Sequence, residues 1–140
     1  MARYLIDTNI FAFYADEQDR LSNDILNMLE DYNNTLCMSA ESVKELVVAY
    51  RTKNLLNKKW KSPESLISDI KSQYRITVLP VDLNVVRRMS MLQINTSENH
   101  NDPSDHIIIA HAITTGLPLI SSDRKFPFYR NQGLELITNF

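Results

Sequence analysis

The chain has 140 residues, 44% of them hydrophobic and 23% charged, which predicts one globular domain over residues 1–140 with a sizeable core. A net charge of −2 excludes a bulk polycation, and the single cysteine, Cys37, excludes a disulfide framework and a thiolate metal site. No leader-like segment opens the chain and no apolar run approaches the roughly 18 residues of a membrane span, so we expect a cytoplasmic protein without a membrane segment.

Hydrophobic patterning divides the chain into alternating strands and helices. Short apolar runs predict strands near residues 2–6, 35–38, 76–79, 117–121 and 134–138. Helical spacing predicts helices over residues 22–31, 40–56, 63–73, 83–94 and 105–115, and the polar segment 95–104 is expected to be a loop. Strands separated by helices are joined by parallel crossovers, so the pattern predicts an α/β sandwich.

Two of the predicted strands lead into an aspartate. Asp7 directly follows the first strand, and Asp123 lies two residues beyond the fourth. Because parallel strands end at the same edge of a sheet, where open α/β proteins bind ligands, both carboxylates should lie in one acidic pocket. Each has a structural alternative: Asp7 would cap a helix over residues 8–14, and Asp123 would lie in a turn with Arg124 as its partner.

A third acid, Glu45, lies inside the predicted helix 40–56. It completes the sequence Ser42-Val43-Lys44-Glu45, which is typical of a capping box and would make Glu45 a local structural residue. If Ser39 caps the helix instead, Glu45 lies nearly two turns into a helix with apolar residues on both sides. Such a helix would be largely buried, and a buried glutamate needs a partner, so we favour a cation. Glu41, one turn earlier, is expected to be solvated.

Asp102 and Asp105 flank the start of the Ile-rich helix. One of them can cap this helix, where the helix dipole also favours an acid. Two aspartates within four residues exceed what capping requires. Clustered carboxylates are costly unless a cation holds them together, and Mg²⁺ or Mn²⁺ suits oxygen ligands. The acids of these separate segments therefore predict a divalent metal site.

Residues 44–61, unlike the acidic segments, form a basic stretch. It carries six bases and interleaves them with Tyr50 and Trp60, a composition that could follow a phosphate backbone and stack bases. The alternative is a solvated helix face. The bases considered for RNA binding are Arg51, Lys53, Lys58 and Lys59.

Taken in order, these motifs resemble the PIN domain family. Asp7-Thr8-Asn9 opens the chain, Glu45-Leu46 follows in a helix, Asp102-Pro103-Ser104-Asp105 starts the Ile-rich helix, and Ser121-Ser122-Asp123 follows the fourth strand. The resemblance covers nearly the whole chain. Within the family, the chain looks most like the toxin component of VapBC-type toxin–antitoxin pairs. It implies a PIN-like three-layer α/β/α sandwich with a small, mostly parallel central sheet.

The resemblance also implies a chemistry and assigns residues to it. It implies a Mg²⁺-dependent endoribonuclease, with Mn²⁺ as a substitute. The acidic quartet that holds the metal corresponds to Asp7, Glu45, Asp105 and Asp123, with Asn9, Asp102 and Ser121 in supporting positions. His106 and His111 depart from the residues that many relatives have there, and both changes could alter substrate contacts.

Partners are implied in the same way. Toxin relatives bind a small antitoxin that covers an apolar groove and occludes the site, and they form homodimers. The residues expected to line such a groove here are Phe11, Phe13, Tyr14, Leu55, Leu56 and Trp60.

Three other functions compete with the toxin hypothesis. A housekeeping PIN nuclease in RNA maturation would have the same residues. A non-catalytic PIN-like interaction module would lack metal binding, although all four acids are present. A haloacid dehalogenase-type phosphatase also begins with a strand and an aspartate, but it requires a second aspartate where this chain has Asn9.

Overall fold

The computed structural model describes residues 2–53, 56 and 58–140. Five strands and six α-helices occur in this part of the chain, together with 3-10 helices at Gln18–Arg20, Thr96–Glu98 and Phe126–Gln132. The strands are β1 (Arg3–Ile6), β2 (Thr35–Ser39), β3 (Thr77–Leu79), β4 (Leu119–Ser121) and β5 (Leu136–Thr138). The helices are α1 (Thr8–Asp16), α2 (Asn23–Glu30), α3 (Ala40–Lys53), α4 (Pro63–Ser72), α5 (Leu83–Met91) and α6 (Pro103–Thr115).

All strand pairs of the sheet are parallel, in the order β3-β2-β1-β4-β5. Leu5 pairs with Leu119 and Ile6 with Ile120, so the central strands β1 and β4 end side by side. The chain runs outward from β1 to β3 and then returns to the other side of β1 at β4. This reversal opens a crevice at the carboxyl ends of β1 and β4, which is where open α/β sheets bind ligands.

Side chains of the strands alternate between the two faces of the sheet. Ile6 and Met38 belong to a core shared with α1, α2, α3 and α4. Leu5, Cys37 and Leu119 belong to a second core, shared with α6 and the 3-10 helix that follows β4, while α5 packs against α6. The sheet is therefore covered on both faces, and the predicted three-layer α/β/α fold is confirmed.

Local signals explain most helix boundaries. The Ser22 hydroxyl accepts from the Ile25 amide at 3.2 Å and starts α2, and Ser62 starts α4 with Pro63 in the first turn. Helix α3 is described as far as Lys53, and Leu56 lies in a turn, so the helix does not reach residue 56 as predicted; residues 54, 55 and 57 lie outside the described part of the chain. No helix in the described ranges is both long and apolar enough to cross a membrane.

The polar segment 95–104 is more ordered than the predicted loop. It contains the 3-10 helix Thr96–Glu98, and its Asn95 and His100 are buried. Helix α6 begins at Pro103, two residues earlier than predicted. The reason is that Asp102 accepts a hydrogen bond from the Ser104 amide at 2.9 Å and so caps the helix ahead of Asp105.

Gly116 allows a test of the connection between α6 and β4. It caps the C-terminus of α6 with φ of +69°, and apart from the adjoining backbone no heavy atom lies within 4 Å of the position that a Cβ would occupy. Because space is free, Gly116→Ala should lower the free energy of unfolding by about 1 kcal/mol through the left-handed backbone alone. Urea unfolding measures this change, and an unchanged or higher stability would contradict the backbone argument.

Candidate metal centre

Asp7 lies at the carboxyl end of β1 and is only 4% exposed. Its Oδ1 accepts from the Thr8 amide at 2.8 Å, which caps α1, and its Oδ2 accepts from the Ser121 hydroxyl at 2.7 Å. The predicted capping role is therefore real, but it occupies one oxygen only. The pKa of Asp7 is raised to about 7, mainly by burial and also by the charges of Asp105 and Glu45, against the opposing effect of these two hydrogen bonds.

Glu45 projects from α3 toward the start of α1. Its Oε1 accepts from the Thr8 hydroxyl at 2.6 Å. Burial raises the pKa of Glu45, and this Thr8 hydrogen bond opposes the rise. The capping-box alternative is wrong, because α3 begins at Ala40 and Ser42 therefore lies inside the helix. The Ser39 hydroxyl instead accepts from the Glu41 amide at 3.1 Å.

Asp105 lies in the first turn of α6, where it accepts a hydrogen bond from His100 Nε2 to its Oδ2 at 2.9 Å. The pKa of Asp105 is raised to about 7, mainly by burial and also by the charges of Asp102 and Asp123. Asp102 is exposed and caps the helix. Asp102 therefore starts the helix, and Asp105 presents a partly desolvated carboxylate.

Asp123 occupies the turn after β4. Its amide donates to the Ser121 hydroxyl at 3.0 Å, and its Oδ1 accepts from the Lys125 amide at 2.8 Å. The predicted turn is therefore present, but Arg124 is not its partner, since that guanidinium lies over the Phe140 ring at 4.5 Å. Ser121 contacts both Asp7 and the Asp123 backbone, so one hydroxyl couples the ends of β1 and β4.

These groups converge into two overlapping clusters. Ligand atoms of Glu45, Asp102 and Asp105 lie within 4.8 Å of one another, and so do those of His100, Asp105 and Asp123. Asp105 belongs to both clusters, and its charge also acts on Asp7. Carboxylate oxygens that repel one another at partly buried positions match what a divalent ion such as Mg²⁺ requires of its ligands. The donor set therefore fits the metal that the sequence predicted.

A family model described as PIN domain matches residues 4–132. The chain belongs to the PIN domain family. Comparison with curated protein sequences finds no significant match.

Solved structures agree with this PIN fold. A VapBC2 complex from Rickettsia felis, bound to a promoter DNA fragment, is similar with a TM-score of 0.74 and 20% identity over 97% of this chain and 98% of that one. A DNA-bound VapBC from Salmonella typhimurium has a TM-score of 0.67 and 17% identity over 100% of both chains. VapBC-5 from Mycobacterium tuberculosis has a TM-score of 0.61 and 20% identity over 99% of both chains. At these identities the likeness establishes the fold alone.

Two residues of this PIN-domain site were not predicted from the sequence. Thr8 appeared there only as part of a motif, yet it donates to Glu45 through its hydroxyl and to Asp7 through its amide. His100, predicted to lie in a loop, is buried against Asp105. The position of Thr8 beside Asp7 was an available signal, whereas nothing in the local sequence distinguishes His100.

Other predicted residues make no described hydrogen bond to the four predicted carboxylates. His106 and His111 are buried and bonded to the His100 carbonyl and the Ser39 hydroxyl, so neither ring is exposed for contact with a substrate. Asn9 is exposed and has no side-chain hydrogen bond among those described. The Glu41 side chain is only 16% exposed rather than solvated, because it binds Ser104 and Lys44.

Helix α3 is less buried than its sequence suggested. Of its residues only Ser42 and Leu46 are fully buried, and Val48 is 47% exposed. Glu45 is therefore half-buried at the margin of the pocket rather than enclosed in the core.

The basic stretch is only partly available to a nucleic acid. Arg51, Lys53, Lys58 and Lys59 are all exposed, but the Lys59 ammonium donates to the Ala15 carbonyl near the end of α1. Ala15 is seven residues beyond Thr8, so Lys59 contacts α1 roughly 10 Å from the acidic pocket, at 1.5 Å per helical residue.

The aromatic residues near that stretch belong mainly to the core. Trp60 is 3% exposed and packs with Phe11, which is also buried, so neither stacks on bases nor lines an open groove. Phe13, Tyr14 and Leu56 are partly exposed, and Leu55 lies outside the described residues.

The buried charge of Asp7 makes stability depend on pH. Folding raises its pKa from about 3.8 to about 7. A raised acid contributes fully to stability below its unfolded pKa, and this contribution is lost as the pH rises through the folded pKa. Asp7→Asn should therefore stabilise the metal-free protein by roughly 1–3 kcal/mol at pH 8, since one pKa unit corresponds to about 1.4 kcal/mol, and by less at pH 5.

Urea unfolding in EDTA at pH 5 and pH 8 measures this effect. Asp16→Asn makes the same chemical change at an exposed carboxylate and should behave like the wild type at both values. Equal stabilities of wild type and Asp7→Asn at pH 8 would show that folding does not raise the pKa of the Asp7 carboxylate.

Proposed function

We propose that this PIN domain, spanning residues 1–140, is a Mg²⁺-dependent endoribonuclease and the toxin of a toxin–antitoxin pair. The observation that carries the proposal is the geometry around Asp105, whose ligand atom lies within 4.8 Å of those of Glu45 in one cluster and of Asp123 in another. The charges of Asp105 and Glu45 also act on Asp7, which is buried at the end of β1. The pKa of three of these carboxylates is raised, so the metal-free pocket is electrostatically unfavourable. A bound Mg²⁺, or Mn²⁺ as a substitute, would relieve that cost.

Asp7 and Asp105 are the principal ligands in this proposal, and Glu45 and Asp123 complete the site or orient water. When bound, the ion supplies an activated water and positive charge for the phosphate. The protein's own residues hold these carboxylates: Thr8 and Ser121 donate hydrogen bonds to Glu45 and Asp7. Asp102 is exposed, lies close to Glu45 and Asp105, and would serve as an additional ligand.

The substrate proposed is single-stranded or looped RNA, whose backbone can enter a narrow acidic cleft. Arg51 and Lys53 occupy the last turn of α3, the helix that also carries Glu45, and both are exposed. They can bind phosphates beside the cleft and offset repulsion from its acidic floor. Lys58 and Lys59 lie beyond that helix and would contact a part of the RNA farther from the cleft.

Partners form part of the same proposal. An antitoxin would cover the partly exposed residues Phe13, Tyr14 and Leu56 and occlude the acidic pocket. A homodimer is also proposed, as the family resemblance implies, and a cytoplasmic location is kept as a prediction from the sequence. The similar VapBC-5 structure is of a member of a family of toxin–antitoxin systems, which supports this assembly.

A housekeeping role in RNA maturation is the alternative that shares every site residue. A short upstream gene for a DNA-binding antitoxin would favour the toxin, and its absence would favour the housekeeping enzyme. A non-catalytic interaction module requires that the pocket bind no divalent ion, so metal titration separates it from both nucleases.

Purified protein should cleave RNA in Mg²⁺ or Mn²⁺ and lose that activity in EDTA. Asp7→Asn should lower the rate at least a hundredfold without unfolding the protein, because it removes a ligand charge and keeps the side-chain shape. Asp16→Asn should cleave at the wild-type rate. Gel analysis of total RNA measures cleavage by the wild type with metal, by the wild type with EDTA, and by each variant. Undiminished cleavage by folded Asp7→Asn would refute the assignment.

A further inference from the structure

His100 connects the acidic pocket to the protein interior. The ring is 2% exposed and lies between two partners: Nε2 is 2.9 Å from Asp105 Oδ2, and Nδ1 is 2.9 Å from the Tyr129 hydroxyl. Tyr129 is fully buried and comes from the 3-10 helix that follows Asp123. A chain of hydrogen bonds therefore joins the Asp105 carboxylate to the segment that carries Asp123.

The proton count determines which nitrogen of His100 carries hydrogen. The Tyr129 oxygen already accepts from the Asn95 amide at 3.1 Å. The hydroxyl has one proton to donate, and His100 Nδ1 is its only bonded acceptor among the described residues. Donation to Nδ1 leaves the ring proton on Nε2, which points at Asp105. The opposite tautomer would direct a lone pair at the ionised carboxylate and leave a buried hydroxyl proton unbonded.

His100 is itself held firmly. Its amide donates to the Asn95 carbonyl at 3.1 Å, and its carbonyl accepts from His106 Nε2 at 2.8 Å. Its ring packs against those of His106, Phe126 and Tyr129 at centroid distances of 5.0 to 5.7 Å. A donor fixed in this way can set the direction of the carboxylate it binds.

Asp105, unlike Asp7, has a single hydrogen-bond donor among the described residues. Asp7 accepts from both Ser121 and Thr8, whereas His100 is the one hydrogen-bond donor to the Asp105 side chain within the described chain. Asp105 is also the carboxylate common to both acidic clusters. Its orientation therefore affects the whole pocket.

We propose that His100 is a positioning residue that holds Asp105 in its metal-binding orientation, while Tyr129 fixes the histidine tautomer. This inference rests on the proposed function, because it takes Asp105 to be a metal ligand. His100 does not bind the ion itself, since Nε2 carries the proton given to Asp105. Donors of this kind orient a metal-binding carboxylate, and their loss costs about 10-fold to 100-fold in metal affinity.

The test is Mn²⁺ binding by the full chain, measured by calorimetry at one pH. His100→Leu should weaken Mn²⁺ binding about 10-fold to 100-fold, and His100→Gln, which keeps an N–H donor, should restore most of it. His111→Gln alters another buried histidine of the same region, bonded to Ser39 instead of the pocket, and should bind like the wild type. Unchanged affinity in folded His100→Leu would overturn the inference.

Two further outcomes are informative. If His100→Gln loses Mn²⁺ as severely as His100→Leu while Mg²⁺ binding is retained, His100 is a ligand and the positioning role is wrong. If the wild type binds no Mn²⁺, the proposed function fails as well, which distinguishes that failure from failure of the histidine role alone.

Nitrogen-15 NMR of the wild-type histidines tests the tautomer without any variant that has to fold. We expect the Nε2–H form for His100 in the metal-bound protein. A dominant Nδ1–H form in the wild type would overturn the assignment of Tyr129 as the donor.

Discussion

The buried charge at the end of β1 is the constraint on which the site depends. Asp7 is almost fully enclosed, and its pKa is raised to about 7 because its charge is desolvated and other carboxylates lie near it. Near neutral pH the folded chain therefore favours either a proton or a cation at this position. The fold places Asp7 there through the parallel sheet, whose order brings β1 and β4 to adjacent ends.

The protein tolerates this arrangement because donors from separate elements hold its carboxylates. Thr8 bonds Glu45, Ser121 bonds Asp7, and His100 bonds Asp105. Each donor occupies one oxygen and leaves the carboxylate its remaining acceptor capacity for an ion. Preorganisation of this kind means that the ligands need little rearrangement when a cation binds.

The sequence predicted the parts of this site that follow from strand ends. Asp7 and Asp123 could be placed together because parallel strands of a crossover fold end at one edge. The partner of Glu45 could not, since the Thr8 contact depends on how α3 packs beside α1. His100 was hidden for a similar reason: a polar segment gives no sign of burial when the covering ring, Tyr129, lies 29 residues away. The contacts of Glu45 and His100 thus depend on packing between segments that are distant in the sequence.

The most direct test of the central claim is anomalous scattering from a crystal of the protein soaked in Mn²⁺. We predict a peak in the crevice between β1 and β4, within coordination distance of Asp7 and Asp105, with His100 still bonded to Asp105. No peak at saturating Mn²⁺, or a peak that contacts neither aspartate, would contradict the claim that this pocket is built to hold a metal ion.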